Sequence, residues 1–327
     1  MSVLEIKNLK AHFFTPFGTV KAVDGLSFKI EKGQALGLAG ESGCGKSTTA
    51  LAIMDLLPYP GKIVSGETLL KGVNIYSITE AELRKIRWSE MAMVFQGSMA
   101  ALNPLFKIGD QITEPILLHE EDTTKEEAVE RAKSLLELVG IEGSRVDSYP
   151  WELSGGMRQR AMVAMALACN PSFLIADEPT TALDVIVSAQ VMDLIKELRE
   201  KLDLSMLLIT HDISVIAQTC DELAVMYAGK IVERSAVDTI FEFPAHPYTY
   251  ALIKAFPSIK GEKRELEGIP GFPPDLINPP TGCRFHPRCP FAQERCSKEE
   301  PVLEEIEENH IVACHFWEKI KNKRLES

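Results

Sequence analysis

Gly40-Glu-Ser-Gly-Cys-Gly-Lys-Ser47 lies between a short apolar run, Ala35 to Ala39, and an Ala/Leu-rich segment from Thr48 to Leu57. The octet matches G-x-x-x-x-G-K-[ST], the phosphate-binding P-loop. Its glycines let successive backbone N–H groups turn towards phosphate oxygens, and the helix that follows offers its positive end. Gly40, Ser42, Gly43, Cys44, Gly45, Lys46, Ser47 and Thr48 are therefore the candidate phosphate-binding residues. Lys46 supplies a full charge near the outer phosphates, and Ser47 is placed to hold Mg²⁺. A glycine-rich loop that binds nothing is the alternative, and the strand-then-helix setting argues against it.

The chain around this loop has 327 residues, enough for two domains, and its 45% hydrophobic and 25% charged content is that of a folded protein rather than a disordered one. A net charge of −12 argues against a nucleic-acid binder that works by neutralising phosphates. No apolar run reaches membrane-span length, and Met1 to Lys10 lacks the form of a signal peptide, so an intracellular protein is expected. Seven cysteines in such a chain are read first as metal ligands or reactive thiols.

Upstream of the loop, Val3 to Leu9 and Val20 to Ile30 carry strand patterns. Phe13, Phe14 and Phe17 fall between them. An aromatic here stacks on a nucleotide base or simply joins the core, and the spacing favours Phe13 for stacking. Downstream, Lys62 to Ile75 reads as short strands joined by Gly66 and Gly72. Thr79-x-x-Glu82 opens a charged helix through Arg87. Met91 to Phe95 is a buried strand ending at Gln96, placed to reach Mg²⁺ or an attacking water at the sheet edge where the loop also ends. Residues from Gly97 to Pro150 turn helical, with a capping box at Thr124 and Glu127 and a stop at Gly140.

Leu153-Ser-Gly-Gly-Met157 precedes a strongly helical segment. Ser154 is a favoured N-cap, and Gly155 and Gly156 leave N–H groups bare, so this is either a second anion-seeking helix end or an ordinary capped one. Phe173-Leu-Ile-Ala-Asp177-Glu178 is an apolar strand ending in two carboxylates. Asp177 suits Mg²⁺ held through water, and Glu178 suits polarising a water towards the outer phosphate. Another apolar strand, Ser205 to Thr210, leads to His211, positioned to hydrogen-bond that phosphate.

In order, Gly40 to Ser47, Gln96, Leu153 to Met157, Asp177-Glu178, Ala182-Leu-Asp184 and His211 resemble the motif set of ABC transporter ATP-binding subunits, over residues 1 to about 240. The resemblance implies an α/β fold, a P-loop NTPase of the ABC type, with a RecA-like core, an antiparallel β subdomain and an inserted α-helical subdomain at about 97–160. It implies ATP and Mg²⁺ as cofactors, with Lys46 and the loop amides on phosphate and Ser47, Gln96 and Asp177 at the metal. Glu178 is implied as catalytic base and His211 as a contact to the outer phosphate. In that family a second homologous subunit pairs head to tail, so Ser154 to Gly156 serve the partner's ATP and Asp184 lies where the chains cross. Separate membrane permease chains, fed by an external substrate-binding protein, and a peripheral place on the cytoplasmic face of the membrane follow from the same likeness. No nucleic-acid partner is implied.

Eleven of the 19 prolines fall between Phe241 and Pro301, which predicts a loop-rich extension over 241–327. His246 to Leu252, Pro273 to Pro280 and Gln96 to Pro104 are similar to the D-type subunits of dipeptide and oligopeptide importers. Peptide import is the function implied. A soluble ABC ATPase working on ribosomes or nucleic acid, and an importer of nickel or oligosaccharide, are the alternatives. Cys283, Cys289, Cys296 and Cys314 are separated by five, six and 17 residues. Four such thiolates suit an iron–sulfur cluster or a zinc site, with His286 and His315 as alternative ligands. The resemblance favours a [4Fe–4S] cluster over zinc or free cysteines, as a staple for the extension rather than a redox switch.

Overall fold

The two N-terminal apolar patterns form long strands, β1 (Ser2–Thr15) and β2 (Gly18–Glu31). β1 runs on through Phe13 and Phe14, which the sequence alone placed between strands, because aromatic side chains suit a pleated surface and the chain turns only at Pro16. The computed structural model describes residues 2–97, 101–181, 183–255 and 268–321. Ser98, Met99 and Ala100 of the Gln96–Pro104 segment, Ala182, and residues 256–267 and 322–327 of the extension lie outside the described residues.

β3 (Ala35–Ala39) is buried at every position and delivers the chain into the phosphate loop, from which α1 (Lys46–Ile53) departs. β4 (Gly61–Leu70) runs through Gly66 rather than breaking there, and β5 (Val73–Asn74) follows. Thr79 and Glu82 close a reciprocal capping box on α2 (Glu80–Ile86), leading to β6 (Met91–Val94). Among the described residues the next stretch is helical, with α3 (Ile108–His119), α4 (Lys125–Leu138) behind the Thr124–Glu127 capping box, and α5 (Gly155–Ala166). β7 (Phe173–Asp177), α6 (Val185–Leu202) and β8 (Ser205–Ile209) carry the second half of the motif set. α7 (Ile213–Thr219), β9 (Glu222–Tyr227), β10 (Lys230–Ala236) and α8 (Val237–Glu242) precede the proline-rich extension. The extension holds α9 (Pro247–Lys254), α10 (Glu294–Lys298), β11 (Glu304–Glu307), β12 (His310–Val312) and α11 (Trp317–Lys321), joined by long irregular stretches.

The chain packs as two units. The first comprises Met1–Leu4, Ile30–Gln34 and Leu70–Leu208. Its strands lie in the order β8, β7, β6, with β6 and β7 parallel and Val94 opposite Ala176. Phe173, Leu174 and Ile175 are at most 1% exposed, each contributing roughly 1.5–3 kcal/mol of burial. Such a strand reads as continuously apolar because both faces are covered.

The second unit comprises Glu5–Lys29, Ala35–Leu69 and Ile209–Ser327. Its strands run β11, β12, β10, β9, β3, with β3 and β9 parallel and the others antiparallel. The loop-rich extension thus adds two short strands to the sheet that carries the phosphate loop. Glu233 of β10 is fully buried and explains how this seam holds. Its carboxylate accepts the backbone N–H of Ala245 at 2.6 Å and of His246 at 2.8 Å, and His310 Nε2 of β12 lies 2.8 Å away. A buried carboxylate is tolerated only with its lone pairs filled in this way. Glu233→Ala leaves those donors buried without an acceptor and is expected to lower unfolding free energy by about 3–5 kcal/mol in urea titrations. A loss below about 1 kcal/mol would show that the seam is held by other contacts.

Candidate functional site

In the second unit, the octet forms a closed turn between β3 and α1. Gly45 is the N-cap of α1, at φ 109°, and no side chain caps the helix. A Cβ at Gly45 would stand 2.1 Å from the Ala22 carbonyl oxygen, so the close approach and the left-handed backbone both demand glycine. Gly43 is different: it has nothing within 4 Å of where a Cβ would be, and it opens to solvent with Ser42. The Lys46 side chain, 6% exposed, curls back along the loop, and its Nζ donates to the carbonyls of Gly40 at 2.7 Å and Glu41 at 3.1 Å. Cys44 is buried, and burial pushes its thiol up, which makes it a packing residue at neutral pH. Ser47 and Thr48 are half-buried in the first turn of α1. A bare helix N terminus, an open glycine and a lysine together fit a polyphosphate.

In the first unit, the register of β6 and β7 decides the chemistry. Because Val94 stands opposite Ala176, continuing two residues along each strand brings Gln96 beside Glu178. Gln96 Nε2 donates to Glu178 Oε2 at 2.9 Å, and the Thr181 hydroxyl donates to the same oxygen at 2.9 Å. Asp177, the last residue of β7, is 2% exposed, whereas Glu178 is half-buried. Glu178 also has a left-handed backbone, φ 45°, a conformation that costs a non-glycine residue of order 1–2 kcal/mol. The turn points its carboxylate away from the strand direction and towards Gln96. Thr181 was not singled out from the sequence. Its signal is the three-residue offset from Glu178, which a tight turn converts into contact.

Also in the first unit, the Ser154 hydroxyl accepts the Met157 N–H at 3.3 Å and caps α5. A Cβ on Gly156 would lie 2.5 Å from Val187 Cγ1, so this glycine lets α5 pack against α6. Asp184 is exposed and caps α6 by accepting the Val187 N–H at 2.9 Å. The octet, Phe13 and His211 belong to the second unit, whereas Gln96, Ser154 to Gly156, Asp177, Glu178 and Asp184 belong to the first. Phe13 is half-buried, its ring over Gly61, and His211 is exposed just beyond β8. Tyr248, which the sequence reading included in the His246–Leu252 segment without a site role, accepts the Glu41 N–H at 2.8 Å.

The extension corrects one expectation. Cys283, Cys289, Cys296 and Cys314 line one pocket, yet among the described residues no three His, Cys, Asp or Glu side chains are grouped to hold a metal ion, so neither the [4Fe–4S] cluster nor the zinc alternative stands. Burial pushes the Cys283, Cys289 and Cys314 thiols up, Cys289 to about 11 and Cys314 to about 12. Phe285, Phe291 and Phe316 share the pocket. His286 Nδ1 is 2.9 Å from the Cys283 carbonyl and His315 Nε2 is 3.0 Å from the Glu299 carbonyl, so both rings are engaged by backbone. Sequence spacing gathered the cysteines correctly, but four cysteines in one apolar pocket pack as small hydrophobes.

Residues 23–181 match the family described as ABC transporter, and residues 232–296 match the C-terminal region of oligopeptide/dipeptide transporters. The chain is 48% identical to the oligopeptide transport ATP-binding protein OppD of Bacillus subtilis, over 95% of this chain and 87% of that one. It is 43% identical to the dipeptide transport ATP-binding protein DppD of Escherichia coli, over 97% of each. Both names specify peptide transport and ATP binding. Among solved structures, the dimeric bacterial ABC transporter cassette MJ0796 superposes with a TM-score of 0.65 at 28% identity, covering 72% of this chain and 98% of that one.

Gly45→Ala drives a methyl group into the Ala22 carbonyl, and it is expected to weaken nucleoside triphosphate binding at least about tenfold. Fluorescence titration checks this, with circular dichroism confirming that the fold is retained.

Proposed function

Because the chain belongs to the ABC transporter family, in its oligopeptide/dipeptide branch, we propose that it is the ATP-hydrolysing subunit that powers import of peptides through separate membrane chains. It is a transport ATPase. The observation that carries the reading is the Glu178 carboxylate, turned out of β7 beside Asp177 and gripped by Gln96 and Thr181. The rival reading, an ABC ATPase serving ribosomes or nucleic acid, finds no support in relatives named for peptide transport.

In this reading residues 1–240 are the ATPase domain and 241–327 its extension. The amides of Gly40 to Thr48 and the Lys46 ammonium bind the phosphates, and Phe13 stacks on the base. Ser47, Gln96 and Asp177 would hold Mg²⁺, Asp177 through water, and the ion would supply positive charge against the outer phosphates. Glu178 orients the attacking water and accepts its proton, and Gln96 and Thr181 fix the plane of that carboxylate. His211 donates to the outer phosphate. Ser154, Gly155 and Gly156 act on the ATP of a second homologous subunit in a head-to-tail dimer, near the crossing at Asp184. Among the described residues no helix is long and apolar enough to cross a membrane. Binding to permease subunits from the cytoplasmic side, with an external binding protein delivering cargo to those permeases, completes the assembly. The exposed Leu105 and Phe106, 79% and 54% accessible, are the candidate contact of the helical lobe with a permease.

Glu178→Gln keeps the size of the side chain and removes the base. In the assembled transporter, phosphate release is expected to fall about 100-fold or more while ATP binding persists. Unchanged turnover would remove Glu178 from the chemistry.

A further inference from the structure

Within the second unit the C-terminal extension reaches the phosphate loop at Glu41. The Arg288 guanidinium meets the Glu41 carboxylate as a fork, Nη1 donating to Oε2 at 2.6 Å and Nη2 to Oε1 at 3.0 Å. Tyr248, whose ring is fully buried against Tyr227 and Phe285, accepts the Glu41 backbone N–H. Arg288 is itself held on every side. Its Nε donates to the Pro270 carbonyl at 2.7 Å, Nη2 to the Ile269 carbonyl at 3.3 Å and Nη1 to the Tyr227 hydroxyl at 3.3 Å. Its side chain is 5% exposed and that of Glu41 25%.

A glutamate in the second position of a loop meant for a polyanion is an unfavourable choice on its own. Its charge repels the ligand, and the repulsion is strong where water is scarce. A rigid, permanently charged fork opposite it removes that repulsion and fixes where the loop begins, which a flexible lysine does poorly. Lys46 Nζ donates to the Glu41 carbonyl as well, so the residue whose side chain Arg288 holds and whose N–H Tyr248 accepts also holds the phosphate-binding lysine.

We propose that Arg288 and Tyr248 are positioning residues for nucleotide binding: Arg288 cancels the Glu41 charge beside the phosphates, Tyr248 pins the Glu41 backbone, and the C-terminal extension thereby sets the affinity of the loop for ATP. The inference rests on the reading of Gly40 to Ser47 as the ATP site. It makes the extension a working part of that site and not merely an appendage covering the sheet.

The test uses the full-length chain, with affinity read by titration of a fluorescent ATP analogue and KM and kcat read in the assembled transporter. Arg288→Ala is expected to weaken binding about tenfold and to raise KM for ATP, with kcat at saturating ATP within about twofold of wild type. Adding Glu41→Gln to Arg288→Ala removes the unmatched carboxylate, and it is expected to restore affinity to within about threefold of wild type. Tyr248→Phe, which removes only the hydroxyl, is expected to weaken binding about threefold. A merely structural role for the extension predicts no rescue by Glu41→Gln. Unchanged affinity in Arg288→Ala, or a double variant no tighter than the single one, overturns the proposal. Should Arg288→Ala fail to fold, Arg288→Lys and Tyr248→Phe replace it, and wild-type affinity in both overturns it equally. Failure of the wild-type chain itself to bind the analogue would instead overturn the ATP-site reading.

Discussion

A loop that binds phosphate through its backbone must keep N–H groups bare, so its shape has to be held from the carbonyl side and from outside. The octet meets that constraint. Lys46 ties the carbonyls of Gly40 and Glu41, and Gly45 lies against the Ala22 carbonyl at a distance no side chain permits. Glu41 is clasped by Tyr248 and Arg288. The N terminus of α1 is left without a side-chain cap, which in an ordinary helix would be a defect and here is the binding surface. The helix end at Ser154 has a different character, since its own hydroxyl caps the first turn. Two helix ends that look alike as sequence are thus electrostatically distinct.

The hydrolytic side depends on a backbone conformation held in place by a buried strand. Glu178 occupies a left-handed turn immediately after five buried residues of β7, and the apolar strand anchors a conformation that a free chain would relax. The parallel register with β6 then brings Gln96 within hydrogen-bond distance of it. Positioning by strand register is stiff, and the general-base role proposed for Glu178 gains from that stiffness because its distance to a water is set before substrate arrives.

Much of this was legible in the chain. The capping boxes at Thr79 and Thr124 formed as their three-residue offset predicts, since the side chain and backbone that satisfy each other are local. The buried strands at Ala35, Phe173 and Ser205 are continuous apolar runs, and each appears within a residue of expectation at its start. The boundary at Phe13 was missed because a strand ends where the hairpin turns, not where alternation weakens. The cysteine pocket was gathered correctly and given the wrong chemistry. Spacing states which thiols can meet, whereas the tertiary structure decides what surrounds them, and here they line a pocket with Phe285, Phe291 and Phe316.

By itself the sequence determined the local features: the phosphate loop, the strand-end carboxylates, the helix caps and the membership of a transporter family. These depend on residues a few positions apart, whose mutual geometry is set by φ and ψ alone. Only the tertiary structure decided that Gln96 grips Glu178, that Glu233 of β10 meets His310 of the extension, and that Arg288 reaches back across most of the chain to Glu41. Those pairings join segments whose separation in sequence carries no distance information, and packing of buried surface is what brings them within a hydrogen bond.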